Sequence, residues 1–480
     1  MVHPVLIDGE WLDDRGATIE SVNPATGEIN HEVCAATPAL VERAVIAAAR
    51  AADASSWRAL LPHQRAALLH RIGDLMLANA DRFARLQMIE NGKVWSECVA
   101  QVRSAAGTFR YFASVCETLG SDLTPSRGNY LSMTVHEPYG VVAAITPWNS
   151  PMTMEAQKVA PALAAGNAVV LKPSEITPSA ALELGRIALD AGLPPGVLNV
   201  LPGTGPVTGS ALVEHPGVGM VSFTGGTVTG RRIAAVAAAR LMPVALELGG
   251  KSPHIVFDDA DIDAAADAIA GGIFEGSGQS CVAGSRLFVQ HRVHEALVER
   301  VLAIARSLRV DLPDAEGAQM GPISSFGHRD RIEAMVAEAR AAGAQILCGG
   351  ARPGDTRLSA GAFYLPTVIG GIDNRAPIAQ QEIFGPVLCV LPFDDEDDLV
   401  AQANDSVFGL AAGVWSRDFA RCWRIARRLQ AGTVWINTYK QLSIATPFGG
   451  FKDSGLGREK GLTGMRLYQQ TKGLYIGLGR

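Results

Sequence analysis

The sequence predicts an α/β protein built on parallel, doubly wound sheets, and three observations lead there. Short apolar runs alternate with amphipathic segments through the first half of the chain, the pattern of strands buried between helices. Several runs end in polar loops, Thr146-Pro-Trp-Asn149 and Lys172-Pro-Ser-Glu175 among them, and open parallel sheets gather ligands at such strand ends. At 480 residues and 48% hydrophobic content the chain exceeds one ordinary core, so about three domain-sized units are expected.

In chain order, β-rich pieces at Val5 to Trp11 and Ile19 to Val22, separated by Asp8-Gly9 and Arg15-Gly16, predict hairpin strands forming a lid or edge. Pro38 to Ala54 and His63 to Met88 have apolar residues at helical spacing. A β segment near Tyr130 to Glu137 precedes a buried strand at Gly140 to Ile145, a helix from Met152, a strand at Ala168 to Leu171 and a helix at Pro178 to Ala191. Strands at Val197 to Leu201 and Gly219 to Phe223 follow. Gly203-Thr-Gly-Pro-Val-Thr-Gly209 has one spacer too many for the standard dinucleotide fingerprint, and Thr224-Gly-Gly226 opens a helix whose first N–H groups suit an anion. Either loop is a candidate phosphate cradle. From Pro243 a strand ends at Glu247 before two glycines, and a second α/β region runs from Pro253 to Phe448. The β-like tail, Gly473 to Leu478, needs a partner surface.

Composition excludes several functions. A net charge of −6 leaves no basic footprint for nucleic acid. The acidic run Asp394 to Asp398 reads as a solvated helix start, where negative charge suits the helix dipole. Seven scattered cysteines without CxxC pairs point to a reducing compartment and no metal site. With no signal-peptide pattern and no apolar run of membrane-spanning length, a cytoplasmic protein without membrane partners is expected.

Chemistry centres on Phe274-Glu-Gly-Ser-Gly-Gln-Ser-Cys-Val-Ala-Gly-Ser-Arg286. Cys281 has small neighbours, so an electrophile can approach its sulfur and backbone N–H groups can face a developing oxyanion; a lone cysteine otherwise packs as a small hydrophobe. Pro147-Trp-Asn149, Leu171-Lys-Pro-Ser-Glu175, Phe223-Thr-Gly225, Leu246-Glu-Leu-Gly-Gly-Lys251, Gly278-Gln-Ser-Cys281, Glu382-Ile-Phe-Gly-Pro386 and Pro447-Phe-Gly-Gly-Phe-Lys-Asp-Ser-Gly455 occur in that order. The ordered set resembles the aldehyde dehydrogenase superfamily over essentially the whole chain.

The resemblance implies that Cys281 adds to an aldehyde, that the Asn149 amide and the Cys281 N–H hold the oxyanion, and that Glu247 activates the water that releases the acid. Asn149 as a turn residue, and Glu247 paired with Lys251 or Arg286, are the structural alternatives. It places NAD, with NADP left open, on Lys172 and Glu175 at the adenosine ribose and on Glu382 and Phe384 at the nicotinamide end. Trp148, Gly225 and Gly226 complete that set. A solvated Lys172 and a core Phe384 are the bland alternatives, and Gly226 stands where the family commonly has a serine.

For the substrate tunnel the resemblance implies one wall of Ser150, Thr153, Met154 and Gln157. Glu275, Ser280, Val282, Lys440 and Leu442 approach from the catalytic side. Lys440 either anchors an anionic substrate end or is solvated or paired with Glu275. The implied architecture is a cofactor domain (1–119 and 139–249), a catalytic domain (250–449) and a β oligomerisation element (120–138 and 466–480), giving a homodimer or homotetramer. A CoA-acylating enzyme and an inert homologue are the rival readings, the first disfavoured by Glu247.

Overall fold

The computed structural model describes residues 2–13 and 17–479. An eight-stranded sheet forms the first layer system. Its centre is five parallel strands, in spatial order Val244–Glu247, Met220–Thr224, Val141–Ile145, Ala168–Lys172 and Leu198–Val200. Strand order reverses beside Val141–Ile145, which creates the crevice at the carboxyl ends where such sheets bind ligands. Side chains alternate between two cores: Val142, Ala144, Val169 and Leu171 face one, Val141, Ala143, Ala168 and Val170 the other. That double burial is why these strands read as unbroken apolar runs.

The predicted edge is there, in altered form. Val5–Ile7 and Glu10–Leu12 make a hairpin on the margin of this sheet, turned by Asp8 and Gly9, both with positive φ. Thr18–Val22 does not extend that hairpin; it pairs with Ile29–Cys34 in a separate small sheet. The Arg15-Gly16 turn lies outside the described residues. The helix expected over His63 to Met88 is two helices, Pro62–Ala78 and Ala80–Asn91, because Asn79 leaves helical geometry and turns its side-chain amide back to the Leu75 carbonyl. A long helix, Trp95–Thr118, follows without having been predicted.

The second sheet has seven strands, six of them parallel: Thr367–Gly370, Val387–Phe393, Arg286–Gln290, Pro253–Val256, Ala411–Trp415 and Thr433–Ile436, with Gln345–Cys348 antiparallel at one edge. The acidic run starts helix Glu396–Asn404, with Asp395 accepting from the N–H groups of Asp397 and Asp398. A third sheet pairs Tyr130–Pro138 with Leu123–Thr124 and with the tail strand Gln469–Gly477, so the apolar tail has its partner. Among the described residues no helix is long and apolar enough to cross a membrane.

Arg286 is buried at the joint of the second sheet and donates to the carbonyls of Lys251 (2.9 Å), Gln402 (3.2 Å) and Ala403 (2.8 Å) and to Asn374 Oδ1 (2.9 Å). Lysine cannot reproduce that planar fork. Arg286→Lys is therefore expected to lower the unfolding free energy by about 2–4 kcal/mol, read from urea denaturation, since buried acceptors lose their donors. An unchanged midpoint would mean that water replaces the fork.

Candidate active site

Three loops and one strand end at the carboxyl edge of the parallel strands converge. Thr146-Pro-Trp-Asn149 follows Val141–Ile145, Pro173 to Ile176 follows Ala168–Lys172, Gly225-Gly226 follows Met220–Thr224, and Glu247 is the last residue of its own strand. Cys281 arrives from the turn that leads into Arg286–Gln290.

That turn is held in an unusual backbone state. Gly276, Ser277 and Gly278 all have positive φ, at 62°, 57° and 70°. At Gly278 a Cβ would lie 2.2 Å from the Gly385 carbonyl carbon and oxygen, so only glycine fits. Gln279 pins the loop from both ends: its Oε1 accepts from the Ser324 N–H (2.9 Å) and hydroxyl (3.0 Å), and its backbone carbonyl accepts from Asn149 Nδ2 (2.9 Å). One amide hydrogen of Asn149 is thereby fixed and the other remains for a ligand. Tyr439 donates to the Val282 carbonyl at 3.0 Å, clamping the residue after the cysteine. The Gly249-Gly250 pair has its explanation here too, because a Cβ on Gly250 would lie 2.3 Å from the Cys281 carbonyl oxygen.

Cys281, Asn149 and Glu247 line one cavity of about 580 Å³. Ser150, Thr153, Met154, Gln157, Ser280, Val282 and Leu442 line it as well. Glu275 and Lys440 do not. Lys440 donates to the Gly271 carbonyl at 3.1 Å and stands 4.0 Å from Glu275, so its ammonium is spent on the end of helix Ile262–Phe274 and the residue that follows it. Burial lowers its pKa to about 8. Sequence reasoning missed Gln101, Ser104 and Thr108, which reach the cavity from Trp95–Thr118, and also Ile444, Phe448, Glu459 and Lys460. Helical periodicity around Val102, Phe109 and Phe112 was the available signal for the first group; no local pattern announces the second.

A neighbouring cavity of 440 Å³ shares Thr224 with the first and includes Trp148, Lys172, Ser174, Gly205, Gly209, Gly225 and Arg232. Both glycine loops thus border it. Gly226 does not line it but caps helix Thr227–Ala239. Lys172 Nζ stands 3.6 Å from Glu175, which is half-buried. Glu382 Oε1 accepts from the Gly250 N–H at 2.9 Å, and Phe384 packs edge-on against Trp148 with ring centroids 5.3 Å apart. Thr146 Oγ1, on this cavity's wall, is buried without a protein partner, as a ligand-facing hydroxyl would be. A dinucleotide fits this donor set: an ammonium, a helix start and backbone N–H groups beside glycines.

Electrostatics distinguish the two reactive groups. Burial, then the neighbouring Glu247 and Glu382 carboxylates, push the Cys281 thiol up to about 12, although its residue keeps some accessible surface at the cavity floor. Burial, with Glu459 beside it, holds the Glu247 carboxyl well above the ordinary carboxylate range, against the opposing pull of Lys158, Arg458 and Lys460. Lys251 and Arg286 do not pair with Glu247, since Arg286 is committed to carbonyls and Lys251 Nζ has no hydrogen-bond partner. Glu247 Oε2 is likewise buried and unpartnered.

A family model described as the aldehyde dehydrogenase family matches residues 11–474. The chain belongs to the aldehyde dehydrogenase family. It is 42% identical over 476 residues to betaine aldehyde dehydrogenase 1 of Rhizobium meliloti, covering 98% of this chain and 97% of that protein. Among solved structures it matches the NAD+ complex of an aldehyde dehydrogenase from Bacillus cereus, with a TM-score of 0.97, 36% identity and coverage of 100% and 97%. An NAD-dependent aldehyde dehydrogenase from Sinorhizobium meliloti matches equally well, with a TM-score of 0.97, 39% identity and coverage of 100% and 95%.

The raised Glu247 pKa has a stability consequence. The folded state keeps a proton that the unfolded chain releases at the ordinary carboxylate value, so stability falls as pH rises from that value through the folded one. Glu247→Gln has no proton to release. Its melting temperature is expected to exceed that of the parent near pH 8, with the gap closing toward about pH 5. A variant less stable than the parent at the higher pH would show that the carboxylate is paired after all.

Proposed function

We propose that the chain oxidises an aldehyde to a carboxylic acid with NAD, using Cys281 as nucleophile, Asn149 and the Cys281 N–H as oxyanion donors and Glu247 as general base. The observation that carries this is the meeting of those three side chains, from segments far apart in sequence, in one cavity that adjoins a second one bordered by both glycine loops. The Cys281 thiol gives up its proton to solvent as the sulfur adds to the carbonyl carbon, and the thiohemiacetal oxyanion that forms is met by the free Asn149 amide hydrogen. NAD, when bound, supplies the hydride acceptor that turns this adduct into a thioester. Glu247 then takes a proton from water as the water attacks the thioester, and the acid leaves with Cys281 restored. Its desolvated carboxylate is a stronger base than one in water, which suits that step.

Lys172 and Glu175 hold the adenosine ribose and Glu382 the nicotinamide ribose, with Trp148 and Phe384 packing beside them; Gly225 and Gly226 lie by the pyrophosphate. The domain limits are those read from the sequence, 1–119 with 139–249, 250–449, and 120–138 with 466–480. The third sheet carries exposed Leu131, Tyr475 and Ile476 and is the surface through which a homodimer or homotetramer forms. A cytoplasmic location accords with six thiols, Cys98, Cys116, Cys281, Cys348, Cys389 and Cys422, outside any disulfide.

Cys281→Ala is expected to abolish NADH formation from any aldehyde while NAD still binds, as measured by calorimetry. Glu247→Gln is expected to give one stoichiometric burst of NADH followed by very slow turnover, with the acyl-enzyme visible by mass spectrometry. Absence of both burst and adduct would place Glu247 before hydride transfer. Because a carboxylate accepts from the free 2′-hydroxyl and repels a 2′-phosphate, kcat/KM is expected to favour NAD over NADP, and Glu175→Gln to narrow that ratio by about tenfold or more. An unchanged ratio would remove Glu175 from the ribose site.

A further inference from the structure

The substrate cavity differs in chemistry from what a quaternary ammonium aldehyde requires. A trimethylammonium group has no N–H to donate and is recognised by aromatic faces, which supply cation–π attraction. Among the described residues lining the cavity, Phe448 is the single aromatic side chain. Its face is already taken, because Lys460 Nζ lies over the ring at 5.1 Å from the centroid. The cavity therefore presents a protein ammonium where such a substrate would bring its own positive charge.

The rest of the wall mixes apolar side chains, Met154, Val282, Leu442 and Ile444 among them, and the Glu247 and Glu459 carboxylates with neutral hydrogen-bonding groups. From Trp95–Thr118 come Gln101, Ser104 and Thr108, and from the Ser150-capped helix Pro151–Ala164 come Thr153 and Gln157. Gln101 is held in place, its Oε1 accepting from Gln87 (2.9 Å) and its Nε2 donating to Ser150 Oγ (3.2 Å). Thr153 Oγ1 is buried with no protein partner, so its hydroxyl is available to a bound molecule. Lys460 is itself buried beside the reactive groups, its charge interacting with Glu459, Cys281 and Glu247.

We propose that this aldehyde site takes an aldehyde bearing a carboxylate, an ω-oxo acid of short chain, with Lys460 meeting the carboxylate and the Gln101, Thr153 and Gln157 wall solvating its oxygens. The inference rests on the cavity being the aldehyde site, and it separates this chain from the betaine aldehyde named for its relative. Anion and ammonium meet in a water-poor cavity, where a charge-assisted hydrogen bond is strong. Lys460, unlike Lys440, lines the cavity and carries the selectivity.

The test compares four aldehydes with NAD: propanal, succinic semialdehyde, betaine aldehyde and its uncharged isostere 3,3-dimethylbutanal. Succinic semialdehyde is expected to exceed propanal in kcat/KM by about 10- to 100-fold. Betaine aldehyde is expected to fall below 3,3-dimethylbutanal, which has the same shape without the charge. Lys460→Met is expected to reduce the succinic semialdehyde to propanal ratio by about tenfold or more, a ratio in which any general change in Cys281 reactivity cancels. Preference for betaine aldehyde over its isostere, or a ratio unmoved by Lys460→Met, would overturn the proposal. If none of the four yields NADH, the aldehyde-oxidising reading itself fails, an outcome distinct from oxidation without the expected preference.

Discussion

A buried ion pair organises this molecule. Lys158 Nζ and Glu459 Oε1 lie 2.7 Å apart, both out of contact with solvent and 301 positions apart in sequence. Such a pair adds little net stability, because desolvation offsets most of the attraction, but losing one partner strands the other charge at a cost of about 3–5 kcal/mol. Its effect is positional. Lys158 belongs to the helix that begins just after Asn149, and it also donates to Ser222 on a central strand (3.0 Å). Glu459 exchanges backbone hydrogen bonds with Phe448 in both directions, at 2.8 Å each. One contact thus fixes the oxyanion donor's helix, the cavity's aromatic wall and the charge next to Glu247.

The two reactive groups gain their properties from the same burial. A carboxylate without a cation partner and a thiol at the cavity floor are both driven toward their neutral forms. For folding that is a cost, and for catalysis it means that proton transfers occur among groups poorly served by water. The strained turn through Gly276, Ser277 and Gly278 belongs to the same economy: it sets the cysteine's direction at the expense of local backbone comfort. Its restraints are direct, through Gln279 and Tyr439, and leave the sulfur little freedom.

How much of this was legible in the sequence depended on the range of the interaction involved. Strands such as Val141–Ile145 were visible because both faces are buried, which writes an unbroken apolar run into five consecutive residues. The loops at their ends were visible because the residues that carry chemistry, Asn149, Lys172 and Glu247, sit directly after or at the end of those runs. Trp95–Thr118 was overlooked because much of its buried stripe is built from alanine and cysteine, Cys98, Ala105, Ala106, Ala113 and Cys116, which mark a helix face weakly. The break at Asn79 falls inside a continuous helical pattern and is decided by a side-chain amide. Lys440 stands by Glu275, the pairing the sequence left open, and its place off the cavity wall depends on Gly271, in a helix far away in sequence; Lys460 was overlooked because nothing near it in the chain says that its ammonium will lie on Phe448.

The strand Gly455–Leu456 closes the edge of the first sheet by pairing with Val244–Glu247, and Asn167 donates to the carbonyl of Tyr468 at 3.0 Å. Gly455–Leu456 therefore finishes a sheet whose parallel strands are translated more than two hundred residues earlier. During synthesis the first sheet waits with its margin open and Lys158 without its carboxylate. A chain interrupted before Phe448 has its cysteine but lacks that ring, and Glu459 and Lys460, from the cavity wall.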